Sequence, residues 1–259
     1  MAMYSIDRSL PPTPELAAVV ADAYVLFAPY TIGNALYVCH CPVCMTLETE
    51  RQLTATPLRE ISARLLGEYT NSAHDWNDTQ VAREMRYFLP RYMDLMARND
   101  PPDSIGMEIC LRRLAYARWR TAWPQAEGDL IERFFDALIG GAMLRLDVIP
   151  WEREAEPKVC MEDILTMIVR ASGDLARALS VWDEGPLIGA AIHMAITRKS
   201  LDYTHGRDVL RNAHLDDNPD AAHAIAAFLL RPSVQERIEE AFFATDDPHL
   251  QKILSNAAG

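Results

Sequence analysis

The chain lacks the long apolar runs, the alternating strand patterns and the catalytic signatures that disclose many proteins at a glance. Its most apolar window, residues 16–38, is broken by Asp22, Pro29, Gly33 and Asn34. A membrane-spanning helix needs roughly 18 or more apolar residues in succession, so this window is expected in a core. No Gly-rich phosphate loop, no G-x-S-x-G elbow and no H-E-x-x-H pair occurs. The usual sequence marks of nucleotide-binding, α/β-hydrolase and zincin chemistry are therefore missing. The beginning of the chain carries one early Arg8, then Pro11, Pro12 and Pro14, without the apolar stretch of a secretory signal. Five cysteines, an odd number, then point to reduced thiols in a cytoplasmic setting.

Positive charge is also scarce. The 259 residues hold 37 acidic and 25 basic side chains, a formal net charge of −12. Such a balance opposes broad attraction to nucleic acid or to an anionic membrane, and neither is expected as a partner. Residues 81–120 are the exception, with eight arginines against five acids. Hydrophobic residues make up 49% and charged residues 24%, the composition of a globular protein rather than a disordered one.

What is present is helical periodicity punctuated by proline. Pro57, Pro124, Pro186, Pro219, Pro232 and Pro248 each precede a helix-like run, where a missing N–H costs nothing. Thr56, Asn218 and Asp247 stand before three of them as candidate caps. Leu58, Ile61, Leu65 and Tyr69 share one helical face, as do Val81, Met85, Phe88, Tyr92 and Leu95. Leu130, Ile131, Phe134, Phe135, Leu138 and Ile139 form a broader stripe, as for a helix buried on two sides. Further helical runs are expected over 106–121, 160–180, 186–202, 220–230 and 232–243. Only residues 35–38, Ala-Leu-Tyr-Val, read as a short strand. The fold class is all-α, and the pattern suits stacked helical hairpins in an irregular HEAT-like array without a fixed repeat length. The polar, aperiodic segment 147–158 contains two prolines and reads as a linker between an N-terminal region, 1–146, and a C-terminal region, 159–259.

Chemistry concentrates in residues 37–45, YVCHCPVCM, which hold three of the five cysteines. Zinc is bound by thiolates and imidazoles, usually four of them, and a Cys-x2-Cys pair places two thiolates on one turn. Cys41 and Cys44 have that spacing, and Cys39 joins them as a third candidate ligand for zinc. His40 lies between, and His74 is the nearest later histidine. A second ligand pair downstream is absent, because Cys110 and Cys160 are isolated. The same stretch imitates the Cys-Pro-x-Cys centre of thioredoxin-type proteins, where a helix N-terminus acidifies the first thiol. That fold needs strands alternating with helices, which the chain does not supply. The plainest reading is a turn with inert thiols, bent by Pro42 and continued by a helix that Thr46 caps.

Other clusters read as structural. Residues 110–120 interleave Arg112, Arg113, Arg118 and Arg120 with Tyr116 and Trp119. This is either an anion-binding patch or a packed helix, and the second is expected. Leu111, Leu114 and Trp119 would then face inward while the arginines pair with the acidic C-terminal half. His193, His205, His214 and His223 sit 12, 9 and 9 positions apart, unlike helical metal ligands three or four apart. Pro90, inside a strongly periodic run, is expected to mark a helix boundary.

Several short motifs together resemble a set of bacterial helical proteins with no established function. They are Cys41-Pro-Val-Cys-Met-Thr46, Pro57-Leu-Arg59, Phe88-Leu-Pro-Arg91, Phe228-Leu-Leu-Arg-Pro232 and Arg237-Ile-Glu-Glu-Ala-Phe242. The resemblance implies that Cys41 and Cys44 belong to the shared pattern, with Cys39 and His40 outside it. It implies no activity.

The functional expectation is a non-enzymatic, cytoplasmic, protein-binding chain of adaptor or immunity-like character, with zinc as a candidate structural metal at Cys39, Cys41 and Cys44. No catalytic residue is assigned. The alternative is a metal- or thiol-dependent enzyme centred on Cys41 and Cys44.

Overall fold

A computed structural model describes residues 8–41, 43–74, 78–103, 106–150, 155–202 and 209–256. The fold is all-α, apart from two short antiparallel ladders. The chain divides into two compact units, one of residues 1–137 with 170–172 and one of residues 138–169 with 173–259. The expected linker falls inside the second unit, where Val148–Pro150 pairs with Ala155–Pro157. A second ladder joins Leu201–Asp202 to Val209–Leu210. Residues 35–38, expected as a strand, are irregular, because their backbone N–H groups are taken by side chains rather than by a partner strand. Among the described residues no helix is long and apolar enough to cross a membrane.

In the first unit, helix α1 (Pro14–Leu26) packs along α4 (Asp78–Ala97). Between them in sequence come α2 (Leu47–Ala55) and α3 (Ala63–Asn71), which also pack together. The expected stripe of α4 is the core of this unit: Val81, Met85, Phe88 and Tyr92 are fully buried. Helix α4 continues past Pro90, which the sequence had suggested as a boundary. Burial of Leu89, Tyr92 and Met93 on either side outweighs the loss of one backbone hydrogen bond.

The run expected as one helix over 106–121 is instead a series of turns with two single-turn helices, α5 (Arg113–Tyr116) and α6 (Trp119–Ala122). The break lies at Arg118, whose φ of 52° is left-handed and cannot continue a right-handed helix. Leu111, Leu114 and Trp119 are buried as expected. Of the arginines, Arg120 pairs with an acid of the acidic stretch 121–259, whereas Arg112 and Arg113 bond to backbone carbonyls at the end of α3. Arg112 donates to the Thr70 carbonyl, Arg120 pairs with Glu132, and Arg113 donates to the Tyr69 and Ser72 carbonyls.

The second unit contains the last turns of α7 (Gln125–Leu144), then α8 (Met161–Arg170, its last residue assigned to the first unit), α9 (Leu175–Asp183), α10 (Leu187–Thr197), α11 (Pro219–Leu229), α12 (Pro232–Ala244) and α13 (Pro248–Ser255). The run 160–180 is thus two helices, interrupted at Ser172 with φ of 59°. Helix α10, Leu-Ile-Gly-Ala-Ala-Ile-His-Met-Ala-Ile-Thr, has no charged residue and forms the centre, packed on α12 and α13.

Two residues one turn apart fit α10 to the end of α7. Gly189 lies where an added Cβ would come 2.0 Å from the Met143 carbonyl oxygen, so only glycine permits the approach. His193 Nε2 lies 3.0 Å from the Ala142 carbonyl oxygen in the last turn of α7, which also accepts the Arg145 N–H at 3.3 Å. The closest helix pairings, α1 with α4 and α10 with α12, join elements well apart in sequence. This order lends no support to an array of consecutive stacked hairpins.

Of the proline-adjacent caps, Asp247 holds the His249 and Leu250 N–H groups. Asn218 occupies the cap position of α11 without a side-chain hydrogen bond. Thr56 closes α2 instead of opening a helix, since Pro57 leads only into a 3-10 turn at Leu58–Glu60.

Candidate metal centre

The cysteine turn is held in place by backbone bonds and by two buried carboxylates. Glu50 on α2 accepts the Leu36 N–H at 2.6 Å, and Glu84 on α4 accepts the Tyr37 N–H at 2.6 Å. Two residues further on, the Cys39 N–H donates to the Ala73 carbonyl at 2.7 Å. The turn then closes on itself: Cys44 N–H reaches the Cys41 carbonyl at 3.1 Å, and Met45 N–H the Cys39 carbonyl at 3.3 Å. Met45 is fully buried and anchors the turn to the core, while Thr46 caps α2 by accepting the Thr49 N–H. Pro42 lies outside the described residues.

This scaffold brings Cys39, Cys41 and Cys44 together, with their sulfur atoms all within 4.8 Å of one another. In a tetrahedral zinc site with Zn–S bonds near 2.3 Å, sulfurs stand about 3.8 Å apart. The three thiols are therefore within a small side-chain adjustment of zinc-binding geometry, and they could hold a metal ion such as zinc. Among the described residues this is the one group of three cysteine, histidine or acidic side chains gathered so closely.

The electrostatics suit thiolates. The Cys41 thiol is lowered to about 7, chiefly by the Val43 N–H aimed at its sulfur and next by hydrogen bonding with the Cys44 and Cys39 thiols. The Cys41 N–H favours the Cys39 thiolate in turn, but the hydrogen bonds with the Cys41 and Cys44 thiols outweigh it, and Cys39 is raised. One thiolate thus forms easily, and a dication beside it would favour the others. The remaining cysteines differ: burial pushes the Cys110 and Cys160 thiols well above their usual range. Desolvation disfavours the thiolate at both, although Cys160 is half-buried rather than fully enclosed.

His40 is not part of the group. Its Nε2 lies 3.0 Å from Glu50 Oε2, so the ring shares the carboxylate that holds Leu36. The C-terminal histidines are not brought together either. His193 is buried on α10, His223 Nδ1 lies 2.7 Å from the Pro219 carbonyl oxygen, and His205 lies outside the described residues.

Sequence reasoning missed the residues that support the turn. Glu84 is 1% exposed, and it also accepts the Tyr69 hydroxyl at 2.9 Å. Arg113 is equally buried, stacked with its guanidinium 4.1 Å from the Tyr69 ring centre. A signal existed for the first: Glu84 falls three residues after Val81 and four before Phe88, on the apolar face of α4. A carboxylate placed there has to find hydrogen-bond donors.

The fold and site thus define an all-α protein with a tri-cysteine turn. Compared with known proteins, the chain matches no family model, no curated protein and no solved structure.

Proposed function

We propose that the chain is a non-enzymatic, cytoplasmic helical protein that binds another protein through the cysteine turn, which a structural zinc holds at Cys39, Cys41 and Cys44. The observation that carries this reading is the exposure of apolar side chains on the turn and at the start of the helix it leads into. Val43, between the two ligands of the Cys-Pro-Val-Cys stretch, is 92% exposed, and Leu47 is 58% exposed. Met45 between them is fully buried. A turn so firmly anchored, with one aliphatic side chain at its tip and another at the start of α2, presents a small apolar knob, the kind of feature that a partner's pocket buries. An adaptor or immunity-like role follows from such a contact.

Capture from an extract of the source cells at moderate salt tests the reading. The wild-type chain should recover a stoichiometric protein, and the double variant Val43→Asp/Leu47→Asp should lose it while keeping its helical content. Identical recovery by both proteins would refute the role of the turn.

One observation favours a second reading, a thiol-dependent enzyme: Cys41 is exposed, its thiolate is stabilised, and Cys44 lies beside it. Elemental analysis of protein purified without a metal-affinity tag separates the two. About one zinc per chain supports the structural site. No metal, together with a reversible Cys41–Cys44 disulfide, supports thiol exchange.

A further inference from the structure

Three thiolates leave a tetrahedral metal one ligand short, and structural zinc sites are closed by a fourth protein ligand. We propose that His74 supplies it, so that Cys39, Cys41, Cys44 and His74 form a Cys3His zinc site joining the turn to the end of α3. This inference rests on the reading that the three cysteines bind metal.

Two observations point to His74. The Cys39 N–H bond to the Ala73 carbonyl, at 2.7 Å, lashes the first cysteine to the residue just before this histidine. The two chain segments are thereby neighbours although 34 residues separate Ala73 from Cys39. Cys39 and His74 also line one open cavity of about 380 Å³, together with Tyr37, Val38 and Ala73. The imidazole now rests edge-on against Tyr116, with ring centres 5.0 Å apart. Such an aromatic contact is a weak one, though not the ring's only interaction, and coordination would have to replace them all. Metal coordination outweighs a weak contact of this kind.

His40 is the competing candidate, since it could keep Nε2 on Glu50 and offer Nδ1. Neither histidine ring is gathered with the three sulfurs, so the distinction lies in what holds His40. The bond to Glu50 ties it to a 5% exposed carboxylate that holds Leu36. The proposed site would do what the existing hydrogen bonds begin: clamp the exposed turn to α3 and fix the direction in which Val43 projects.

Cobalt substitution reads the ligand set directly. The wild-type chain, purified without a histidine tag, should take up one Co²⁺ with the strong visible bands of tetrahedral coordination and thiolate-to-cobalt charge transfer. His74→Ala should weaken zinc, measured by competition with a chromogenic chelator, by roughly tenfold or more. His74→Cys should restore tight binding and add thiolate charge-transfer intensity. His40→Ala should leave affinity within about twofold. Retained affinity and an unchanged cobalt spectrum in His74→Ala would overturn the proposal while leaving the three-cysteine site intact. Loss in His40→Ala with retention in His74→Ala would assign the fourth ligand to His40 instead. Failure of the wild-type chain to bind zinc or cobalt would remove the metal reading and this inference together.

Discussion

Acidification should destabilise the second unit through one side chain, His193. Its imidazole is 1% exposed among the apolar residues of α10, and desolvation lowers its pKa from 6.5 to about 4, the hydrogen bond with the Ala142 carbonyl opposing part of that shift. A buried histidine held neutral binds its proton more weakly folded than unfolded. Its stabilising contribution is therefore present above pH 6.5 and is lost as the pH falls through that value toward 4. At about 1.4 kcal/mol per pH unit between the two pKa values, the full loss is about 3 kcal/mol, and at pH 5 it is already about 2 kcal/mol. Against a typical domain stability of about 5–15 kcal/mol, that is a large fraction.

The control is His193→Gln, which keeps an N–H donor for the Ala142 carbonyl and cannot titrate in this range. Urea unfolding at pH 8 and pH 5 should be followed by hydrogen exchange of peptides covering 187–197, corrected for intrinsic rates. This isolates the transition of the second unit. The wild-type chain should lose about 2 kcal/mol more than the variant between the two pH values. Equal losses in both proteins would show that His193 is not held neutral by burial, and the argument would fail.

Four further outcomes are expected. Gly189→Ala, ordinarily a gain of about 0.5–1 kcal/mol inside a helix, should instead cost roughly 1–3 kcal/mol, because the new Cβ meets the Met143 carbonyl oxygen at 2.0 Å; urea titration gives the sign. Glu84→Ala should cost roughly 1–3 kcal/mol for each buried donor left unpaired, the Tyr69 hydroxyl above all, and should raise amide exchange at Tyr37. In metal-free protein, iodoacetamide should modify Cys41 with a half-maximal rate near its pKa of about 7, while buried Cys110 stays unmodified until the chain unfolds and half-buried Cys160 reacts far more slowly than Cys41; peptide mass spectrometry follows each site. Asp247→Ala should cost about 1 kcal/mol and fray α13, because the carboxylate holds the His249 and Leu250 N–H groups; a lowered melting temperature and faster exchange at those two amides are the readouts.

The sequence by itself determined whatever depends on residues a few positions apart. Helical periodicity placed the core stripe of α4, and proline at the first helical position marked the starts of α11, α12 and α13. Six residues of chain were enough to gather three thiols, because a tight turn cannot carry them far from one another. Thr46 capped α2 as its spacing required. Local signals failed where a distant neighbour outweighed them. Helix α4 continues through Pro90 because its flanking side chains are buried, and 106–121 breaks at Arg118 although its composition suits a helix. Burial is a property of what packs against a residue, and no local pattern contains it.

The same holds for chemistry. Only the tertiary structure put Ala73 against Cys39 and His74 on the cavity that Cys39 lines, aimed Glu50 and Glu84 at the segment leading into the cysteines, and buried His193 beside the end of α7. The sequence supplied the thiols of the turn. Long-range packing decided how they are held and what stands next to them, because hydrogen bonding and desolvation act across space regardless of separation along the chain.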